Sequence, residues 1–235
     1  MRVFLALLGI AAAALGGSTV YYHQRGATAQ VSADSLTAVA ESLTAETRSL
    51  RVRNAALSAS LDTQVAAASR QKEAEIAQLR STYDQLVNGM SAEIAQGQIQ
   101  ITRLADRLNV TMVDRILFPS GEAGITAPGL RVLRRVGNIL KTTQGKMIRV
   151  EGHTDTVTIS PRLKSTFPTN WELSTARASN VVRFLQDSVG IDAARLQAVG
   201  LSQYHPIASN ATARGRSQNR RIEIALMPMP TGREE

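Results

Sequence analysis

Apolar residues in the first half of the chain recur at helical spacing. Leu36, Leu43, Leu50 and Leu57 stand seven apart. Ile76, Leu79, Tyr83, Leu86 and Met90 then alternate three and four, and Ile94, Ile101, Leu104 and Leu108 follow. Between Ser35 and Asn109 there is no proline, and the glycines are Gly89 and Gly97. The pattern predicts a long amphipathic helix with a heptad seam, shifted near Leu57–Val65 and stuttering near Met90–Ile94. Several seam positions are Ala, Ser, Glu or Gly, which makes the coil weak. A stripe that one helix cannot bury alone predicts self-association or folding back. A coiled-coil dimer and a hairpin or loose linker both remain open readings. Straight, such a stalk would reach on the order of 110 Å.

Ahead of it, Val3–Tyr22 is uncharged and mostly apolar over roughly the 20 residues that a bilayer-spanning helix needs. Arg2 precedes it, His23 and Arg25 follow, and Tyr21 and Tyr22 fall where amphipathic rings favour the interface. This predicts a single transmembrane anchor within residues 1–25. The alternative is a signal peptide cleaved after Ala27-Thr28-Ala29, although that site lies several residues beyond the apolar run. Either reading exports the rest of the chain. The run has no Asp, Glu, Lys, Arg or His, so it supplies no intramembrane proton carrier.

The second half switches to mixed periodicity. Val113–Phe118 reads as a strand stopped by Pro119-Ser120-Gly121. Thr126–Lys141 reads as a helix with Pro128 in its first turn and a stripe of Leu130, Leu133, Val136, Ile139 and Leu140. Lys146–His153 alternates as a strand. A second helix begins at Thr169-Asn170 with a capping box, Thr169 to Glu172; Leu173, Ala176, Val181, Phe184 and Leu185 form its buried face, and it ends near Gly190. Arg195–Val199 and Arg220–Leu226 read as strands, the latter with Ile222, Ile224 and Leu226 on one face and Arg221 and Glu223 on the other. The order β-α-β-α-β-β predicts an α/β (α+β) sandwich, with helices on one face of a small mixed sheet. The expected division is an anchor (1–25), a helical coiled-coil stalk (26–110), a globular domain (111–228) and a tail (229–235).

Composition narrows the chemistry. Aromatic residues make up 4% of the chain, which argues against one large core, and cysteine is absent. That absence excludes disulfides, Cys-based metal sites and a lipid-modified N-terminal Cys. The formal charge is +8, most of it from Thr111 onward, which suits an anionic polymer. No aromatic–basic interleaving or known reader motif accompanies it, so no nucleic-acid partner is expected.

Three ordered blocks carry the sharpest signal: Val150-Glu151-Gly152-His153-Thr154-Asp155; Asn170 with Leu173, Ser174, Arg177, Ala178, Val181 and Leu185; and Asn210-Ala211-Thr212 through Gly215-Arg216, Asn219-Arg220-Arg221-Ile222-Glu223-Ile224. Together they resemble the OmpA-like/MotB-like peptidoglycan-binding domain family, over roughly Thr111–Met227. The family's fold is the same α/β sandwich.

Arg177 is four residues from both Leu173 and Val181, so it stands on the apolar stripe. A buried cation needs an anionic partner, and Asp155, just past a strand end, is the natural candidate. On charge alone this is either an internal Asp155–Arg177 salt bridge or a ligand site. The resemblance implies the ligand site: Asp155 takes the ammonium and Arg177 the carboxylate at the free end of diaminopimelate in peptidoglycan, with backbone N–H groups at the helix start assisting. It further implies that Thr154, Asn170, Leu173 and Ser174 line or shape the pocket, and that Gly152, His153 and Arg220 support it. Arg220 shares strand parity with Ile222 and is expected to face inward. His153 and Asp155 form an H-x-D pair, but no third ligand cluster or nucleophile accompanies it in sequence, so no metal, cofactor or catalysis is expected. The Thr156–Pro168 loop is a lid, a partner surface or a plain loop.

The resulting expectation is a non-enzymatic envelope tether. It would be held in the inner membrane by one span, be homodimeric through its stalk, and grip peptidoglycan with a periplasmic C-terminal domain. After signal cleavage it would instead be periplasmic or outer-membrane associated. The alternative function is a flagellar stator (MotB-like) or stator-accessory component without its own proton-carrying carboxylate.

Overall fold

The Ala-rich, proline-free first third of the chain forms α1 (Arg2–Gly89). The computed structural model describes the backbone of residues 2–104 and 107–229, with side chains from residue 15. Contacts divide the chain into two units, Met1–Ser69 and Arg70–Glu235. In the first unit Leu36, Leu43, Leu50 and Leu57 are 51–69% exposed. Their stripe therefore has no cover among the described residues. Among these residues no helix is long and apolar enough to cross a membrane; the side chains of the Val3–Tyr22 run up to Ala14 lie outside them.

In the second unit the same spacing has a different outcome. Leu79, Leu86 and Met90, on the last turns of α1 and just beyond, are almost fully buried in the core. The helix then stops. A short α2 (Ser91–Ala95) leads through Gly97, at φ +64°, into β1 (Ile99–Leu104), which pairs antiparallel with β2 (Arg107–Val113). The expected unbroken helix to Asn109 is thus corrected: Gln98–Leu104 alternates at period two once a left-handed glycine has reversed the chain. The strand expected at Val113–Phe118 is also displaced. β2 ends at Val113, and Asp114–Leu117 is a single helical turn, α3, closed by the Phe118 N–H donating to the Asp114 carbonyl at 2.9 Å. A boundary at Thr111 falls inside β2.

The remaining elements follow the expected order, with one unexpected short helix, α6, before the last strand. α4 (Ala127–Thr142) is capped by the Thr126 hydroxyl. β3 (Lys146–His153) follows, and α5 (Asn170–Phe184) carries the expected Thr169–Glu172 capping box. A further turn over Leu185–Val189 ends at left-handed Gly190. Then come β4 (Leu196–Gly200), α6 (Ala213–Asn219) and β5 (Arg221–Pro228). The five-stranded sheet has the order β1-β2-β5-β3-β4. Only β3 and β4 run parallel, joined by the α5 crossover that a parallel pair requires. The core lies on one face, where Val110, Ile148, Val150, Ile222 and Ile224 meet Leu133, Val136 and Leu140 of α4 and Val181 of α5.

Two glycines bring α5 onto the sheet. Gly152 and Gly200 are partners across β3 and β4. A Cβ at Gly152 would lie 2.2 Å from the Ser174 carbonyl oxygen, and one at Gly200 would lie 2.1 Å from the Thr175 hydroxyl. Gly152 is therefore a packing requirement. Gly152→Ala should lower the unfolding free energy by about 2–3 kcal/mol, because backbone rather than a flexible side chain must move; urea denaturation checks this.

Candidate functional site

Close seating of α5 brings its N-terminal half to the ends of β3 and β5. A cavity of about 510 Å³ opens there, lined by Asp114, Phe118, Thr154, Asp155, Asn170, Leu173, Arg177 and Arg220, with the 157–163 segment as one wall. The Thr156–Pro168 loop is thus part of the site. Its Leu163 packs at Gly121, where φ is +77° and a Cβ would come within 2.4 Å of the leucine methyl.

Arg177 is 3% exposed, as its place on the stripe predicts. Its anionic partner is not the expected one. Nη1 meets Asp114 Oδ1 at 2.9 Å, Nε donates to the Glu122 carbonyl at 2.8 Å, and the guanidinium lies 4.9 Å from the centre of the Phe118 ring. The internal Asp155–Arg177 bridge, one of the two open readings, is therefore not formed, and Arg177 pairs with Asp114 instead. α3 turns Asp114 back under α5, while Asp155 is held elsewhere. Asp155 is buried; one carboxylate oxygen accepts from the Val157 N–H at 3.0 Å, and the other pairs with Arg220 Nη1. Arg220 is the residue after α6 and its side chain is 40% exposed. It is turned to the cavity rather than inward with Ile222.

Electrostatically the cavity wall carries two acids, Asp114 and Asp155, and four arginines, of which Arg177 and Arg220 pair with those acids. Burial raises the Asp114 carboxyl above its ordinary value, against the opposing pull of Arg177 and Arg220. Burial likewise lowers Arg177, with Asp114 opposing. The desolvation of both ions thus opposes the attraction between them.

The other expected residues divide. Thr154, Asn170 and Leu173 line the cavity. The Asn170 amide donates to the carbonyls of Asp155 and Val157 and to Gln203 Oε1, at 3.0–3.2 Å. It fixes the loop after β3 and the loop after β4 to the start of α5. Asn170→Ala would strand these acceptors and should cost about 1–3 kcal/mol, read from thermal or urea unfolding. Ser174 is fully buried and does not line the cavity. It donates to the Trp171 carbonyl at 3.0 Å and accepts from the Ser202 N–H at 3.1 Å. Gly152 acts through packing. His153 points to the sheet face away from the core.

Asp114, Glu122 and Phe118 are contacts that sequence reasoning missed. The available signal was one acid inside the apolar run Met112–Phe118, a position that needs a cationic partner if buried.

Residues 117–220 match the OmpA family. The chain carries an OmpA-family domain. Motility protein B of Bacillus subtilis is 32% identical over 157 residues, covering 67% of this chain and 59% of that protein. The match thus spans less than two thirds of that relative's length. Among solved structures, a MotB-like protein from Desulfovibrio vulgaris aligns with a TM-score of 0.62 at 27% identity, covering 70% of this chain and 99% of that one. The cell wall anchor of the type VI secretion system (T6SS) of Pseudomonas aeruginosa aligns with a TM-score of 0.55 at 34% identity, covering 61% and 97%. The OmpA domain here is therefore of the OmpA/MotB-like kind, and β2 through β5 with their helices include the matched region.

Proposed function

We propose that the OmpA domain binds peptidoglycan non-covalently and without catalysis, and that the chain tethers an envelope structure to the wall. The observation that carries this is the cavity at the strand ends, with an acid and a base of opposite roles on its wall. Asp155 would receive an ammonium. Arg177, whose Nε and Nη1 are already engaged, would offer Nη2 to a carboxylate. Diaminopimelate presents both groups at one free end, and each would make a charge-assisted hydrogen bond. Thr154, Asn170 and Leu173 shape the cavity, Arg220 orients Asp155, and Ser174, Gly152 and His153 act from outside it. The similarity to the P. aeruginosa cell wall anchor supports the same reading.

In this proposal Val3–Tyr22 is the inner-membrane anchor. The exposed leucine stripe of α1 pairs with a second copy, because a solvent-facing heptad seam is satisfied most simply by its own equivalent. A stator or stator-accessory role, favoured by the match to motility protein B, is the second reading. It would need a membrane partner that supplies the proton-carrying group, since Val3–Tyr22 has no Asp, Glu, Lys, Arg or His.

The test is co-sedimentation of the full chain, in detergent, with purified sacculi. Binding that free meso-diaminopimelate competes away supports the proposal. A folded chain that stays in the supernatant refutes it, and release of soluble muropeptides refutes its non-enzymatic part. Co-purification with a multi-span partner would move the assignment to the stator reading.

A further inference from the structure

The sheet face away from the core carries a second cluster of charge. Glu151 on β3 and Glu223 on β5 are directly opposed in register. Like charges so placed are destabilising unless something neutralises them. One residue pair along, on the same face, His153 opposes Arg221. His153 is 3% exposed, and neither ring nitrogen has a hydrogen-bond partner. A buried imidazole without a hydrogen bond at either nitrogen is costly, and its Nε2 faces the two carboxylates.

The distances show which ligand fits. His153 Nε2 lies 3.8 Å from Glu151 Oε2 and 3.9 Å from Glu223 Oε1. One ligand atom from each of the three residues lies within 4.8 Å of the others. These separations are too long for hydrogen bonds and suit three ligands around a cation at about 2.0–2.2 Å from each, after a small contraction. The surroundings hold the carboxylates in place. Glu151 Oε1 pairs with Arg149 at 2.8 Å, which leaves Oε2 towards His153. Glu223 Oε1, the oxygen towards His153, accepts from Arg221 Nε at 2.5 Å, and Oε2 accepts from the Asn109 amide at 2.6 Å, so a bound ion would share Oε1 with the guanidinium. Partners of this kind orient metal-binding carboxylates. His205 packs edge-on against His153, ring centres 6.4 Å apart, and screens the cluster from the loop side.

We propose that Glu151, His153 and Glu223 form a binding site for a divalent transition-metal ion, with zinc the best match to one imidazole and two carboxylates. Water fills the fourth position. Arg149 and Arg221 already balance the two carboxylates, so the bound ion leaves net positive charge. This favours hydroxide or a small anion at the open position and holds the affinity below that of an all-acidic site. The site spans β3 and β5 immediately before Asp155 and after Arg220. A bound ion would therefore stiffen the two strand ends that present the cavity's ion pair. The inference is independent of what the cavity binds.

The test uses the untagged full chain, stripped of metal by a chelator and titrated with zinc against a chromophoric competitor. The expected result is one zinc per chain and a rise in melting temperature of about 5–10 °C at a hundredfold excess over Kd. Glu151→Gln and His153→Gln should each lose at least tenfold in affinity. Should His153→Gln fail to fold, Glu151→Gln still tests the site, because it keeps the side chain's size at a partly exposed position. Cobalt substitution should give the visible absorption of a low-coordinate nitrogen–oxygen site, a readout that does not depend on stability. Two outcomes overturn the proposal. One is no stoichiometric zinc binding by the folded wild type. The other is binding that His205→Ala abolishes and Glu151→Gln leaves intact, which would mark an exposed surface histidine as the ligand.

Discussion

Arg177→Ala should lower the unfolding free energy by about 3–5 kcal/mol at neutral pH, the cost of leaving one member of a buried ion pair alone. The stranded group is Asp114, whose side chain is 11% exposed and whose bridge to Nη1 measures 2.9 Å. The change also removes the donor to the Glu122 carbonyl and the cation above Phe118. The effect should depend on pH in a direction fixed by linkage. In the wild type the Asp114 carboxyl already lies above its ordinary value of 3.8, because burial outweighs Arg177. Without Arg177, its main opposing influence is gone and the folded-state value rises further. A carboxyl whose folded value exceeds its unfolded one contributes stability that is complete below the unfolded value and is lost as pH rises through the folded value. The gap between wild type and Arg177→Ala should therefore be small near pH 4 and widen towards neutrality. Urea unfolding across that range checks it, and a gap that does not change with pH would rule out Asp114 as the stranded charge. The double variant Asp114→Asn/Arg177→Met should recover much of the loss, because a neutral pair of similar volume avoids the burial penalty.

Asp155→Ala carries the largest expected effect on binding. Truncating one member of a desolvated charge pair typically costs at least about 2 kcal/mol, so retention on sacculi should fall by roughly 30-fold or more. In the apo protein this carboxylate also holds Arg220 and the Val157 N–H. Arg220→Ala therefore separates two roles. If Asp155 contacts the ligand itself, Arg220→Ala, at a 40% exposed position, should reduce binding less than Asp155→Ala. Equal losses would mean that the Asp155–Arg220 pair acts only as a unit that shapes the cavity. Asp155→Asn keeps the shape and an acceptor for Val157 but removes the charge, and should bind almost as poorly as alanine if an ammonium is being recognised. Binding isotherms with sacculi and competition by free diaminopimelate give all three values.

Several residues show where sequence reading worked and where it stopped. Thr169 and Glu172 announced the start of α5 because a capping box is a local hydrogen-bond exchange that needs no distant partner. Arg177 could be placed on the buried face because helical periodicity fixes which side of the helix a residue occupies. The identity of its partner could not be read. Asp155 was the nearer acid by motif, whereas Asp114 arrives from a different element through a single helical turn that ends β2. The same limit applies to α1. Its stripe continues in both halves, but Leu79 and Leu86 are covered by the core of the second unit while Leu43 and Leu50 stay exposed. Spacing reports that a face must be buried and says nothing of what buries it. The strand Ile99–Leu104 was hidden for a related reason: Ile94, Ile101 and Leu104 fit a helical step, and the left-handed turn at Gly97 and pairing with β2 decide otherwise.

By itself, then, the sequence determined the order of α4, β3, α5, β4 and β5 and the capped start of α5, all by local rules of period, cap and turn, and its resemblance to a known family made Asp155, Asn170 and Arg177 candidates. Only the tertiary structure decided which acid meets which arginine, that residues 157–163 wall the cavity, and that Glu151, His153 and Glu223 converge on the opposite face of the sheet. Those outcomes depend on strand register and on the seating of α5, which bring together residues up to 72 positions apart, such as Glu151 and Glu223. No local pattern encodes a distance of that kind.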